Sequence, residues 1–312
     1  MNERSWKHIF SRVGLACAGF ILISVFAQNL VTFICVSAGI SLESMDIRLL
    51  LSSICMYLLA FPLTAAFFKS IPYPKPERIG ETWSFGTWAV VFLICIGVMS
   101  AGNLIGRGFM LVFGTGTSQN AVDAVIQDSR FFMSAVIMVL IGPAVEEVLM
   151  RKLVIDRILI FGEKTAVLVS GLLFGLIHGN FYQFFYAFAL GVIFGYVYVR
   201  TGKLRNTIIL HMLINFIGSV LIMGLMEWMA MPGIAGLIGM MMLLGYELLF
   251  FGSSIAGIVL LILFWKKVRF YQTPYEWSAP PMTAAKRLGI VFGNVGMLLF
   301  LLVSVMEFAL NF

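Results

Sequence analysis

Val13–Ile40 reads VGLACAGFILISVFAQNLVTFICVSAGI, 28 residues without one charged side chain. A helix needs about 20 largely apolar residues to cross a bilayer, and this run exceeds that. Reading outward by the same criterion gives eight more runs: Leu49–Phe68, Trp88–Phe113, Phe131–Leu149, Thr165–His178, Phe181–Val199, Thr207–Met229, Ile234–Trp265 and Leu288–Leu310. The whole chain agrees. Of its 312 residues 61% are hydrophobic and 12% charged, with a mean hydropathy of +0.99. A soluble domain carries about 25% charged residues. A chain this apolar cannot cover itself with polar surface, and in lipid it need not. The fold class that follows is all-α, a polytopic transmembrane helical bundle of about nine spans.

The basic residues set an orientation. They gather in Arg4/Lys7/Arg12, Lys69/Lys75/Arg78, Arg151/Lys152/Arg157/Lys164, Arg200/Lys203/Arg205 and Lys266/Lys267/Arg269/Lys286/Arg287. Loops rich and poor in Lys/Arg then alternate if Ile234–Trp265 crosses once, as an over-long helix or with its first part interfacial. The rich side reads as cytoplasmic, which places the N-terminus inside. The basic N-terminus followed by an apolar run suggests a signal peptide, but the run is too long for one and reads as a retained helix. Because these charges are dispersed between spans, the net charge of +6 does not point to nucleic acid. Trp83, Trp88, Trp228, Trp265 and Trp277 fall near span ends, where the amphipathic indole ring is at home. The four cysteines lie inside apolar runs with no metal or redox spacing and read as small hydrophobes. Three regions are expected: N-terminal spans over 1–130, a core over 131–229 that carries the chemistry, and C-terminal spans over 230–312, with a connector at 272–281.

Ionisable residues inside a membrane are costly and mark function by default. Three groups stand out. Glu146-Glu147 is followed by Arg151; Glu147 and Arg151 are four apart and share a helix face, whereas Glu146 projects about 100° away. One carboxylate is therefore held by the guanidinium, and the other is free to act as a general base. The plainer reading is a span end with snorkelling charges. The second group is Phe174-x-x-x-His178, with Gly171, Gly175 and Gly179 forming a small-residue face for close helix packing. The third is His211-x-x-x-Asn215, two hydrogen-bonding side chains one turn apart, suited to an oxyanion or simply to interhelical bonding. The chain has only three histidines, and two of them fall here. Asn103, Arg107, Gln28, Asn29 and Glu247 read as weaker candidates without a partner at helical spacing, Arg107 snorkelling outward. Ser170 and the other serines lack the turn of a nucleophile elbow.

In this order the three groups, Glu-Glu-x-x-x-Arg, Phe-x-x-x-His and His-x-x-x-Asn, resemble the CPBP family of intramembrane proteases. That family includes the type II CAAX prenyl endopeptidases and bacterial proteins linked to bacteriocin processing and self-immunity. The resemblance covers roughly Phe131–Ser219. It implies that Glu146 and His178 activate a water for attack on a peptide carbonyl, and that His211 and Asn215 stabilise the oxyanion. Glu147, Arg151 and Phe174 would support the site. It further implies a membrane-anchored or lipidated peptide or protein as substrate and a multi-pass location in a bacterial plasma membrane. No cofactor is required on this reading. A divalent metal such as zinc is the alternative, with Glu146, His178 and His211 as ligands, although a His-Glu-x-x-His pair on one helix is missing. Outside the protease class, a proton-coupled transporter and a non-catalytic immunity or scaffold protein are the competing readings.

The spans raise one geometric difficulty. Glu146 falls near the cytoplasmic end of its run, whereas His178 falls about 14 residues, or roughly 21 Å, along the next. The two meet if the fifth span is tilted, starts below the interface, or forms a shallow hairpin at Gly179-Asn180.

Overall fold

The computed structural model describes residues 3–73, 80–115, 120–271 and 282–312. Lys75, Arg78, Trp277 and the connector at 272–281 lie outside the described residues. Among those described, every regular element is helical. Seven helices are long and apolar enough to cross a membrane: α1 (Arg4–Ser37), α2 (Met45–Lys69), α3 (Phe85–Phe113), α5 (Phe131–Phe161), α7 (Phe181–Thr201), α8 (Leu204–Met229) and α9 (Ile234–Lys267). Between them lie the short α4 (Ala121–Asp128) and α6 (Glu163–Ile177). The chain closes with α10 (Ala284–Val291) and α11 (Val295–Leu310), bent by 76° against each other, an eighth span if counted together. The protein is an all-α integral membrane protein.

Two of the nine expected crossings therefore take a different form. The fifth, α6, has 15 residues and pairs with α7 as a helical hairpin. The ninth is broken at Gly293-Asn294. The long run after Ile234 is one continuous helix, as single crossing requires. The largest difference is in α5. The apolar run ends at Leu149, yet the helix continues to Phe161 because the basic residues that follow are drawn inward. Arg151 is fully buried and Arg157 nearly so, the latter donating to the Phe68 carbonyl at 2.9 and 3.2 Å and so tying the end of α2 to α5. Glu146 consequently sits at the middle of a 31-residue helix, not near its end.

Small residues let the helices approach. At Gly171 a Cβ would stand 2.6 Å from the Val192 side chain of α7, and at Gly102 of α3 it would stand 2.5 Å from the Tyr186 backbone. Without a hydrophobic driving force between helices in lipid, such backbone contacts and buried hydrogen bonds carry the packing. The largest core cluster joins α1, α2, α5, α6, α7 and α11 through Phe10, Phe68, Ile155, Phe174, Tyr198 and Phe300. Arg107 does not snorkel alone. It accepts no isolation at the end of α3, bonding Asn103 one turn earlier at 3.1 Å and both carboxylate oxygens of Asp123 on α4 at 2.7 and 2.8 Å.

Candidate active site

The acid pair is framed by irregular helix. π-Helical turns occupy Ala135–Ile141 and Val148–Ile155 on either side of it, and Phe216–Val220 directly after Asn215. Such turns are frequent at functional sites because they leave backbone carbonyls and reposition side chains. Asn215 answers one of them, donating to the Met138 carbonyl at 2.8 Å and joining α8 to α5.

Glu147 and Arg151 form the buried pair that their spacing predicts. Arg151 Nε donates to Oε2 at 2.8 Å and Nη2 to Oε1 at 3.2 Å, with both side chains fully buried. The guanidinium is further held by Ser170 Oγ of α6 at 2.8 Å, and Ser170 in turn donates to the Met150 carbonyl. A third group completes the network: His211 Nδ1 lies 3.2 Å from Glu147 Oε1. A carboxylate held by arginine is an acceptor, so Nδ1 of His211 carries a proton and donates.

The opposite edge of the same imidazole faces Glu146. His211 Nε2 is 3.8 Å from Glu146 Oε2, too long for a direct hydrogen bond. Glu146 lies outside the Arg151 pair and keeps 29% side-chain exposure, against none for Glu147. The two adjacent glutamates thus divide as the 100° helical offset requires: one locked, one open.

His178 closes the end of α6. Its Nδ1 is 2.7 Å from the Phe174 carbonyl; a carbonyl only accepts, so Nδ1 carries the proton and Nε2 of the neutral ring keeps a lone pair. The turn that follows is tightly specified. Gly179 adopts φ +65°, a left-handed conformation natural to glycine. Asn180 caps α7 by accepting from the Gln183 amide and donates back to the His178 carbonyl, while Asn311 after α11 donates to the Gly179 carbonyl. Phe174 stands between the two histidines, perpendicular to both, with ring centroids 5.0 Å from His178 and 5.7 Å from His211. All seven residues singled out from the sequence therefore lie in one cluster, α5 supplying three, α6 with its C-cap two and α8 two.

Two contributors were not singled out in these roles. Ser170, weighed only as a nucleophile, is a ligand of Arg151. Tyr57 of α2 brings its hydroxyl to the side of Gly142 that the Glu146 carboxylate also reaches. Gly142 makes the room, since a Cβ there would stand 3.0 Å from Tyr57 Oη and 3.6 Å from Glu146 Oε1. A phenol in mid-span, far from either interface, was the available signal.

Among the described residues, no three His, Cys, Asp or Glu side chains converge in a way that would hold an ion. His211 engages Glu147, and His178 the Phe174 carbonyl, through Nδ1, so in both rings Nε2 is the nitrogen turned to the open side of the site.

Residues 128–217 match the family described as type II CAAX prenyl endopeptidase Rce1-like. This core is Rce1-like. The matched segment takes in α5, the α6–α7 hairpin and α8 through Asn215, which is the whole of the cluster except Tyr57. It agrees with the CPBP resemblance of the three motifs. No curated protein and no solved structure matches the chain. The likeness is to membrane endopeptidases of the CAAX type, and it covers under a third of the chain.

Proposed function

We propose that the protein is an intramembrane endopeptidase in which Glu146, assisted by His178, activates water against a peptide bond of a membrane-anchored or lipid-modified substrate. The observation that carries this reading is the division of labour between adjacent glutamates. Glu147 is locked by Arg151 and His211, whereas Glu146 is partly exposed and faced by His211 Nε2 and Tyr57. A general base must be open to water and positioned, and of the two glutamates Glu146 meets both demands.

In the proposed reaction the water oxygen attacks the scissile carbonyl carbon and its proton passes to Glu146. The carbonyl oxygen becomes an oxyanion. His211, protonated at both nitrogens and anchored through Nδ1, donates from Nε2 to that oxygen, and the Asn215 amide has a second N–H beyond the one given to Met138. The proton on Glu146 then moves to the departing nitrogen as the C–N bond breaks, giving a free carboxylate and a free amine. The lone pair on His178 Nε2 serves as relay. No step of this proposed reaction passes through a metal.

The test compares wild-type protein and Glu146→Gln, purified in nanodiscs, on prenylated and unprenylated membrane-peptide libraries with and without a strong chelator. Wild-type cleavage is expected to fall at least ~100-fold in Glu146→Gln and to be indifferent to chelator. Cleavage retained by a clean Glu146→Gln preparation sinks the mechanism. Loss on chelation alone moves it to a metal.

A further inference from the structure

A cavity of about 880 Å³ opens far from the catalytic cluster, between the start of α1 and the bend joining α10 to α11. We infer that this cavity binds the phosphodiester headgroup of an anionic phospholipid, with the acyl chains lying along α11.

The charge of the walls is one-sided. Arg4, Lys7 and His8 line the cavity, and none of its described lining residues is acidic. Their i, i+3, i+4 spacing puts them on one face of α1. The rotation of α1 is fixed from the other side, where Trp6 meets Phe161 edge-on at 5.3 Å and Phe10 packs on the same ring at 4.6 Å.

The floor is built rather than incidental. Asn294 accepts from the Met297 amide at 3.0 Å and donates to the Ile290 and Val291 carbonyls, which holds the 76° bend. Ser11 Oγ accepts from the Gly296 amide at 3.0 Å and fastens α11 to α1. The cavity thus persists as a property of the fold.

The apolar side identifies the ligand as an amphiphile. Val295 lines the cavity and is 75% exposed; Leu298 and Leu302 continue from it at 56% and 58% exposure. Their spacing of three and then four makes one stripe running away from the basic wall. Beside it, the charged start of α1 gives way to the uncharged run from Val13, so the cavity lies where headgroups meet acyl chains. Basic pockets between spans at this level suit anionic headgroups, and each basic residue near the surface adds to the attraction. A soluble phosphate compound would use the basic wall but not the stripe.

The test uses full-length, delipidated protein titrated with phosphatidylglycerol or phosphatidylcholine in a zwitterionic detergent, with bound lipid read by native mass spectrometry. Phosphatidylglycerol is expected to be retained about tenfold more strongly than phosphatidylcholine, and Arg4→Gln/Lys7→Gln to erase that preference. Val295→Trp, which fills the cavity and leaves every charge in place, should also erase it. Lys266→Gln/Lys267→Gln, which removes two charges elsewhere, should not. Equal retention of both lipids, or a preference surviving Val295→Trp, overturns the proposal. Displacement of the lipid by inorganic phosphate or glycerophosphoglycerol at matched concentration would reassign the site to a soluble anion. The outcome is independent of whether the protein cleaves peptides.

Discussion

Arg151 grips Glu147 through two hydrogen bonds, of 2.8 and 3.2 Å, inside a protein interior that neither side chain leaves. Removing one partner strands the other as a buried charge, which costs about 3–5 kcal/mol. Arg151→Ala is therefore expected to lower thermal stability steeply and to abolish activity with it. Replacing both together, as Glu147→Leu/Arg151→Met, should recover much of the stability without recovering cleavage, since His211 would lose its anchor. A double variant as unstable as Arg151→Ala would show that the pair is not the cause.

Tyr57 brings its hydroxyl beside Glu146 from α2, outside the Rce1-like segment. A hydrogen bond to a charged group is worth about 1.5–3 kcal/mol. Tyr57→Phe is expected to reduce kcat by about tenfold or more while KM and melting temperature stay near wild type, because shape is kept and only the hydroxyl is lost. A change confined to KM would place Tyr57 in substrate binding instead. Activity equal to wild type would remove it from the site.

Phe174 touches both histidines, and its ring also lies 5.5 Å from the Arg151 guanidinium carbon. Phe174→Leu preserves most of the buried volume and is expected to fold, with turnover reduced because neither imidazole keeps its perpendicular wall. Phe174→Ala leaves a cavity and should cost about 3–5 kcal/mol. Turnover by Phe174→Leu at the wild-type rate would reduce the ring to a filler.

Gly102 and Gly19 offer a matched comparison of packing. A Cβ at Gly102 would meet the Tyr186 backbone at 2.5 Å, whereas one at Gly19 meets nothing within 4 Å. Gly102→Ala must push α3 from α7 and is expected to lower the melting temperature. Gly19→Ala should be neutral, or stabilising by up to about 1 kcal/mol through helix propensity. Circular dichroism melts of both in the same detergent check the pair.

Glu163 opens α6, paired with Arg200 and accepting from the Tyr271 amide at 2.7 Å. Burial raises its pKa above the ordinary carboxylate range despite these partners. A carboxyl raised on folding contributes stability that is fully present below its unfolded pKa and is lost as pH rises through the folded value. Acidification from neutral pH should therefore stabilise wild type relative to Glu163→Gln. A difference in melting temperature that stays constant with pH, or that narrows on acidification, would contradict this.

Much of the site was legible before any coordinates, for a local reason. Glu147 and Arg151 are four residues apart on one helix, and a helix fixes that contact by its pitch alone. The same pitch turns Glu146 about 100° away from Glu147. The role of Ser170 and the reach of Tyr57 were not legible, because each depends on which helices are neighbours, and no local periodicity encodes that. Arg157 misled for a related reason. As a residue after an apolar run it read as a topology signal, yet it turns inward to the Phe68 carbonyl.

By itself, then, the sequence determined that this protein lives in a bilayer as a bundle of helices, that it carries two carboxylates, two histidines and an asparagine on successive membrane segments, and which of them share a face. Those follow from hydropathy and helical pitch, both properties of short stretches. Only the tertiary structure decided that α5 runs on past Arg151 to Phe161, which puts Glu146 at mid-helix, and that α6 stops short and turns back at Gly179. A buried arginine is stable only where acceptors surround it. Whether Arg151 and Arg157 end a span or continue one was therefore settled by Glu147, Ser170 and Phe68, and by the packing that brings them together.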